Sequence, residues 1–241
     1  MPTHQTENEI AHSNAVREMF AGIAKRYDLL NHVLSLNIDK SWRRRVRSKI
    51  QDSLDNKDAI VLDVACGTGD LSLELKRDAK AMVIGTDFCR PMLAVAAEKT
   101  SAQSIAIPYL EADAMALSFA NDTFDALTIA FGLRNLPNHS NGLKEMHRVL
   151  KPSGKLVILE CSKPPLPVFR QFYGFYFSTV LPRIGGLVSG SLGAYQYLPN
   201  SVSKFPDQKT LASMMEKSGF GNVNYQNLTG GIAAIHIGTK N

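Results

Sequence analysis

The residues best suited to chemistry lie in one short run, Val61-Leu62-Asp63-Val64-Ala65-Cys66-Gly67-Thr68-Gly69-Asp70-Leu71. An apolar stretch leads into a Gly-x-Gly turn. Glycines there let the backbone approach a ligand, and the helix that follows offers free N–H groups at its start. The run lacks the third glycine of a dinucleotide fingerprint, because Ser72 stands in its place. It carries acids at both ends instead, Asp63 and Asp70, which disfavour a pyrophosphate and suit a cationic, amine-bearing ligand. Asp87 closes Gly85-Thr86-Asp87-Phe88, 20 residues after Gly67. A carboxylate at that place can accept hydrogen bonds from both hydroxyls of a ribose. A third acid, Asp113 in Glu111-Ala112-Asp113-Ala114, follows the next apolar run, where it could read an adenine amino group. Gly loop, ribose acid and adenine acid together describe a cradle for S-adenosylmethionine.

These residues need a scaffold that brings the ends of several strands together. Short apolar runs at Ile60–Ala65, Met82–Thr86, Tyr109–Glu111, Phe124–Ala130 and Leu156–Leu159 alternate with helical patterns at Asp70–Arg77, Cys89–Lys99 and Asn138–Leu150. That alternation calls for a parallel sheet with helices on both faces. Before it, Ser13 to Leu36 has the apolar spacing of one or two amphipathic helices. A further helix is expected from Asp39, as N-cap, to about Leu54. Lys151-Pro152-Ser153-Gly154 reads as a turn. Residues 161–203 are rich in Pro, Gly and aromatic side chains and read as an insertion. A helix at Asp207–Ser218 and two strands, Val223–Leu228 and Ile232–Gly238, joined at Thr229-Gly230-Gly231, complete the chain.

The 241 residues carry 27 Lys and Arg against 22 Asp and Glu. Residues 40–49 hold six positive charges and no negative ones, and without them the count is 21 against 22. The basic excess is therefore local, so general nucleic-acid affinity does not follow from it. Three cysteines (Cys66, Cys89, Cys161) fit neither a disulfide framework nor a CxxC metal site, and no metal is expected. A polar N-terminus without an apolar signal core makes a cytoplasmic setting the default.

The motifs VLDVACGTGDL, GTDFCRPML, EADAMALSF and VLKPSGKLVILE resemble the successive motifs of class I S-adenosylmethionine-dependent methyltransferases. More specifically, Phe20 to Asn31 (FAGIAKRYDLLN), Trp42-Arg43, Phe131-Gly132-Leu133-Arg134-Asn135 and Tyr197 to Val202 (YLPNSV) resemble the ubiquinone/menaquinone biosynthesis C-methyltransferase family. The resemblance implies an α/β, Rossmann-like fold: a seven-stranded, mostly parallel sheet with an antiparallel C-terminal hairpin and an N-terminal helical extension. Residues 1–241 are then one domain: the extension at 1–56, a donor-binding core at 57–160, a substrate-covering insertion at 161–203, and a C-terminal helix and hairpin at 204–241. It also implies C-methylation of a polyprenyl quinol: demethylmenaquinol, at the last step of menaquinone synthesis, is the leading reading and a 2-methoxy-6-polyprenyl-benzoquinol the alternative. Carried over by position, the family's donor contacts fall on Thr68, Asp87, and Asp113 with Ala114. Ala130 stands where some members have serine, so a backbone contact survives there and a hydroxyl contact does not. Asp63, Gly67 and Gly69 complete the donor set.

Methyl transfer to carbon is an in-line displacement, so the protein contributes alignment and a suitable field. A quinol ring carbon becomes nucleophilic once a hydroxyl is deprotonated. Arg134, just beyond the fourth strand, could hold the resulting phenolate, and Asn135 could orient a hydroxyl. The base stays open among Tyr27, Asp28, His139 and water. Two features point to anionic membrane: the basic cluster and the aromatic residues Phe169, Phe172, Tyr173, Phe175, Tyr176 and Phe177, which suit a greasy cover for a prenyl tail. A homodimer stays open. A nucleic-acid methylase is disfavoured because the fourth strand ends without an Asn/Asp-Pro-Pro-aromatic motif. A non-enzymatic S-adenosylmethionine or nucleotide sensor is an alternative of a different class. An NAD-dependent oxidoreductase is another, and the missing third glycine counts against it.

Overall fold

The computed structural model describes residues 6–35, 37–165 and 192–241. Most of the expected 161–203 insertion, with its aromatic run, lies outside them. Among the described residues the helices are α1 (Glu7–Ile23), α2 (Tyr27–Leu34), α3 (Ile38–Lys49), α4 (Gln51–Asp55), α5 (Asp70–Lys76), α6 (Arg90–Ala102), α7 (His139–Val149), α8 (Leu192–Lys204) and α9 (Gln208–Lys217). The strands are β1 (Ile60–Val64), β2 (Met82–Asp87), β3 (Tyr109–Glu111), β4 (Phe124–Ala130), β5 (Leu150–Cys161), β6 (Phe220–Leu228) and β7 (Ala233–Lys240). They form one seven-stranded sheet in the order β3-β2-β1-β4-β5-β7-β6. Neighbours from β3 to β5 pair in parallel, while β7 runs antiparallel to both β5 and β6.

Both faces of the sheet are covered, so its central strands are apolar on both sides. Within β1 the alternation of side chains decides which face each residue serves. Leu62 and Val64 join Leu127, Ile129, Leu156 and Ile158 beneath α7 and α9 (Leu143, Met146, Leu211, Met215). Val61 joins Val83, Val157 and Ile235 beneath α3, α4 and α5 (Trp42, Val46, Leu54, Leu71, Leu75). Asp63 belongs by register to this second face, which sets an acid in an otherwise apolar layer. The order reverses at β1, with β2 on one side and β4 on the other, so the crevice at their carboxyl ends is where such a sheet binds ligands.

Three local expectations change. Helix α1 begins at Glu7 rather than near Ser13, because Thr6 and Glu9 form a reciprocal capping box there. Asn37 occupies the N-cap position of α3, and Asp39 lies inside the first turn, 2.6 Å from Arg43 one turn later. Lys151-Pro152-Ser153-Gly154 does not end the chain's run toward the sheet. It is an irregular stretch within β5, with Ser153 at φ 63° and the register against β4 shifted across it. The other helices match within a few residues, and Asn138 and Asp207 cap α7 and α9 through Asn141 N and Thr210 N.

Candidate active site

The loop after β1 departs sharply from extended geometry: Ala65, Gly67 and Gly69 have φ of 50°, 56° and 79°. The turn delivers the chain into α5 and leaves Gly67 N–H pointing at β2, where it donates to Asp87 Oδ2 at 2.9 Å. Asp87 Oδ1 accepts from Cys89 N at 2.8 Å. Each oxygen keeps acceptor capacity beyond those bonds. Burial pushes the Asp87 carboxyl up to about 6 from 3.8, although the bonds from Cys89 and Gly67 oppose the shift. Asp63 behaves alike. It is enclosed, accepts from Ser72 Oγ at 2.6 Å and Thr128 Oγ1 at 2.9 Å, and is pushed up to about 6 by burial. Beyond β3, Asp113 Oδ1 accepts from Met115 N at 2.8 Å, which fixes its turn.

A second strained residue lies across the crevice. Phe131, immediately after β4, has φ of 57°. Gly132 follows, and a Cβ on it would sit 2.6 Å from Ala65 Cβ, so only glycine lets the two loops approach this closely. Ala65 and Phe131, both at positive φ, thus stand just past the carboxyl ends of the adjacent strands β1 and β4.

Between these loops and the N-terminal helices lies a cavity that opens to solvent. Asp63, Gly67, Thr68, Asp87, Asp113, Ala114 and Ala130 line it, as do Tyr27 and Asn135. Phe20 and Ser13 of α1, with Phe131, Leu136 and Pro137, supply its more apolar side. Tyr27 packs edge-on to Phe20 at 5.8 Å, and burial raises its phenol above the usual range. Asn135 is fixed at both ends of its amide: Nδ2 donates to Phe131 O at 3.2 Å, and Oδ1 accepts from Tyr197 Oη at 3.0 Å.

The structure does not bring four of the expected residues to this wall. Gly69 faces β3, where a Cβ would fall 2.5 Å from Tyr109 Oη, so its glycine makes room for that ring. Asp28 is bonded to Thr68 Oγ1 and to Lys99 Nζ, the latter at 2.7 Å, and is not a free base. Arg134 is neither a surface residue nor an isolated cation. Its Nη1 lies 2.6 Å from Glu160 Oε1 and 2.6 Å from Phe131 O, its side chain is 6% exposed, and it borders a neighbouring cavity with His139 and Tyr197. His139 faces that second cavity too, edge-on to Phe205 at 5.2 Å. Sequence reasoning missed two participants. Glu160, the last residue but one of β5, bonds both Arg134 and the backbone N–H of Cys161. Arg43, counted among the surface charges, is turned inward onto the cavity wall.

The sequence model of the ubiE/COQ5 methyltransferase family matches residues 7–240. The chain belongs to the ubiE/COQ5 methyltransferase family. A relative in Thermus thermophilus, named demethylmenaquinone methyltransferase, is 49% identical over 223 residues, covering 92% of this chain and 100% of its own. One in Citrifermentans bemidjiense, named ubiquinone/menaquinone biosynthesis C-methyltransferase, is 47% identical and covers 93% of this chain and 96% of its own. Among solved structures, an S-adenosylmethionine-dependent methyltransferase from Aquifex aeolicus superposes with a TM-score of 0.57 at 19% identity, covering 80% of this chain and 88% of that one. As a member of the ubiE/COQ5 family the chain is an S-adenosylmethionine-dependent methyltransferase with the class I fold. The wall chemistry fits such a donor. Burial holds two carboxylates near 6, and a sulfonium-bearing, ammonium-bearing molecule brings positive charge to the wall that carries them.

Proposed function

We propose that this chain methylates a ring carbon of a polyprenyl quinol, with demethylmenaquinol as acceptor and menaquinol as product. The observation that carries the reading is the two-sided cavity: carboxylates at the ends of β1 and β2 and after β3 on one wall, and Phe20, Tyr27, Phe131 and Asn135 on the other. The names of the Thermus and Citrifermentans relatives support it, and the former favours menaquinol over the benzoquinol of ubiquinone synthesis. Residues 1–241 act as one unit in this reading, the N-terminal helices closing over the core.

When bound, the donor supplies an electrophilic methyl group on a sulfonium sulfur. Asp87 takes the ribose hydroxyls, Asp113 and Ala114 face the adenine, and Gly67 and Thr68 receive the amino-acid end, with Asp63 behind the loop. Ala130 contributes through its backbone. On the acceptor side, Asn135 orients a quinol hydroxyl, because its amide is already fixed by Phe131 and Tyr197. Tyr27, kept protonated by burial, donates to a ring oxygen as charge builds there. Arg134 acts through its pair with Glu160, as a positioning residue for the turn that carries Asn135. Asp28 and His139 are engaged elsewhere, so the quinol hydroxyl proton leaves to water at the cavity mouth, and the methylated ring carbon then gives up its own hydrogen as the ring oxygen is reprotonated and aromaticity returns.

A peripheral encounter with anionic membrane fits the outer face of α3. Lys40, Arg44 and Arg45 are exposed there, with Ile38 beside them and Leu29 exposed on α2. No helix among the described residues is long and apolar enough to cross a membrane. The deciding experiment supplies labelled S-adenosylmethionine with demethylmenaquinol and with the demethylated benzoquinol in separate reactions. Label in menaquinol is the expected result. Label in the benzoquinol alone reassigns the acceptor, and label in neither refutes the activity.

A further inference from the structure

Among the described residues lining the cavity, Arg43 is the one cationic side chain, in a lining that also includes Asp63, Asp70, Asp87 and Asp113. Its side chain is 9% exposed. Two carboxylates hold it in place: Asp39 Oδ2 lies 2.6 Å from Nη1, and Asp70 Oδ2 lies 3.1 Å from Nη2. Asp39 is itself fixed by Ser35 Oγ at 2.5 Å. A guanidinium has five N–H donors, and these contacts leave others for a ligand.

Position in the sheet says which part of a ligand it meets. Asp113 follows β3, Asp87 ends β2 and Asp63 lies in β1, which is the spatial order of the strands. An adenine at Asp113 and a ribose at Asp87 direct the rest of the donor toward β1 and α5. Arg43 stands there, on α3, touching Asp70 at the first turn of α5. We propose that Arg43 binds the carboxylate of the donor's amino-acid end, so that Arg43 with Asp63 and Asp70 reads an α-amino-acid zwitterion. The guanidinium meets the carboxylate, while Asp63 and Asp70, the latter also paired with Lys99 Nζ at 2.5 Å, lend negative charge to the ammonium side. This inference rests on the donor assignment made above.

The test compares two ligands that share adenosine and thioether but differ in the amino-acid part: S-adenosylhomocysteine and 5′-methylthioadenosine. Arg43→Met should weaken S-adenosylhomocysteine by about tenfold or more while leaving 5′-methylthioadenosine within about twofold, as removal of one charge-assisted contact predicts. Arg43→Lys should recover part of the loss. Equal losses for both ligands, or none for S-adenosylhomocysteine, would overturn the proposal. A second measurement needs no variant. The wild-type protein should bind decarboxylated S-adenosylmethionine at least about tenfold more weakly than S-adenosylmethionine, and equal affinity would also overturn it. Failure of the wild type to bind any of these adenosyl compounds would instead defeat the donor assignment itself.

Discussion

Tyr197 donates its phenolic hydrogen to Asn135 Oδ1 at 3.0 Å, joining segments 62 residues apart in the chain. The two most distinctive motifs of the sequence, FGLRN and YLPNSV, thereby meet in one bond at the cavity's rim. Tyr197→Phe keeps the ring and removes the donor. It should lower turnover of the quinol by about two- to tenfold, the range of one lost hydrogen bond, with S-adenosylhomocysteine affinity unchanged. Steady-state kinetics beside calorimetry checks this, and parallel loss of donor affinity would show that the bond serves general stability instead.

The Arg134–Glu160 pair is buried on both sides, with side-chain exposures of 6% and 2%. Breaking such a pair strands the surviving charge, so Arg134→Ala should cost about 3–5 kcal/mol of stability in denaturant titration. Replacing both by Met should restore most of that loss. Turnover in the stable double variant then isolates the pair's part in catalysis, and wild-type turnover there would end it.

Asp63 and Asp87 are pushed up to about 6 in the folded protein from 3.8. Between those values the folded protein holds protons that the unfolded chain has released. Each group therefore erodes stability as pH rises from about 4 to about 6, by up to about 3 kcal/mol once both states are ionised. Asp63→Asn should accordingly gain on the wild type more at about pH 7.5 than at about pH 4.5. A cationic donor favours the ionised acids, so its binding should tighten through the same window and release protons near pH 6. Calorimetry in buffers of different ionisation heat reads that release, and proton-neutral binding near pH 6 contradicts it.

Lys40, Arg44 and Arg45 point to solvent on α3, whereas Arg43 does not. Neutralising those three to Gln should weaken partitioning onto anionic vesicles by about 1 kcal/mol per residue, and added salt should erase the difference. Unchanged sedimentation with vesicles would remove this face from membrane contact.

Much of the fold was readable because its strands announce themselves locally: β3 and β4 begin and end where their apolar runs do. The donor wall was readable for the same reason, since Asp63, Gly67, Asp87 and Asp113 sit at or just past strand ends. What escaped was pairing across the sheet. Arg134 and Glu160 lie 26 residues apart on neighbouring strand ends, and no periodicity links them. Charge counting placed Arg43 on a basic surface, although Asp39, one helical turn earlier, already offered it an inward partner. The Thr6-x-x-Glu9 cap was visible as a spacing and went unused.

Strand β7 is the last of the seven to be synthesised, yet it lies inside the sheet, between β5 and β6. Until it emerges from the ribosome, β5 presents an open edge from Lys155 to Cys161, and β6 has no neighbour to join. The nascent chain therefore carries a complete donor-loop sequence on an unfinished sheet, exposed to other strands and to chaperones. Closure is a single late insertion that mends both gaps at once.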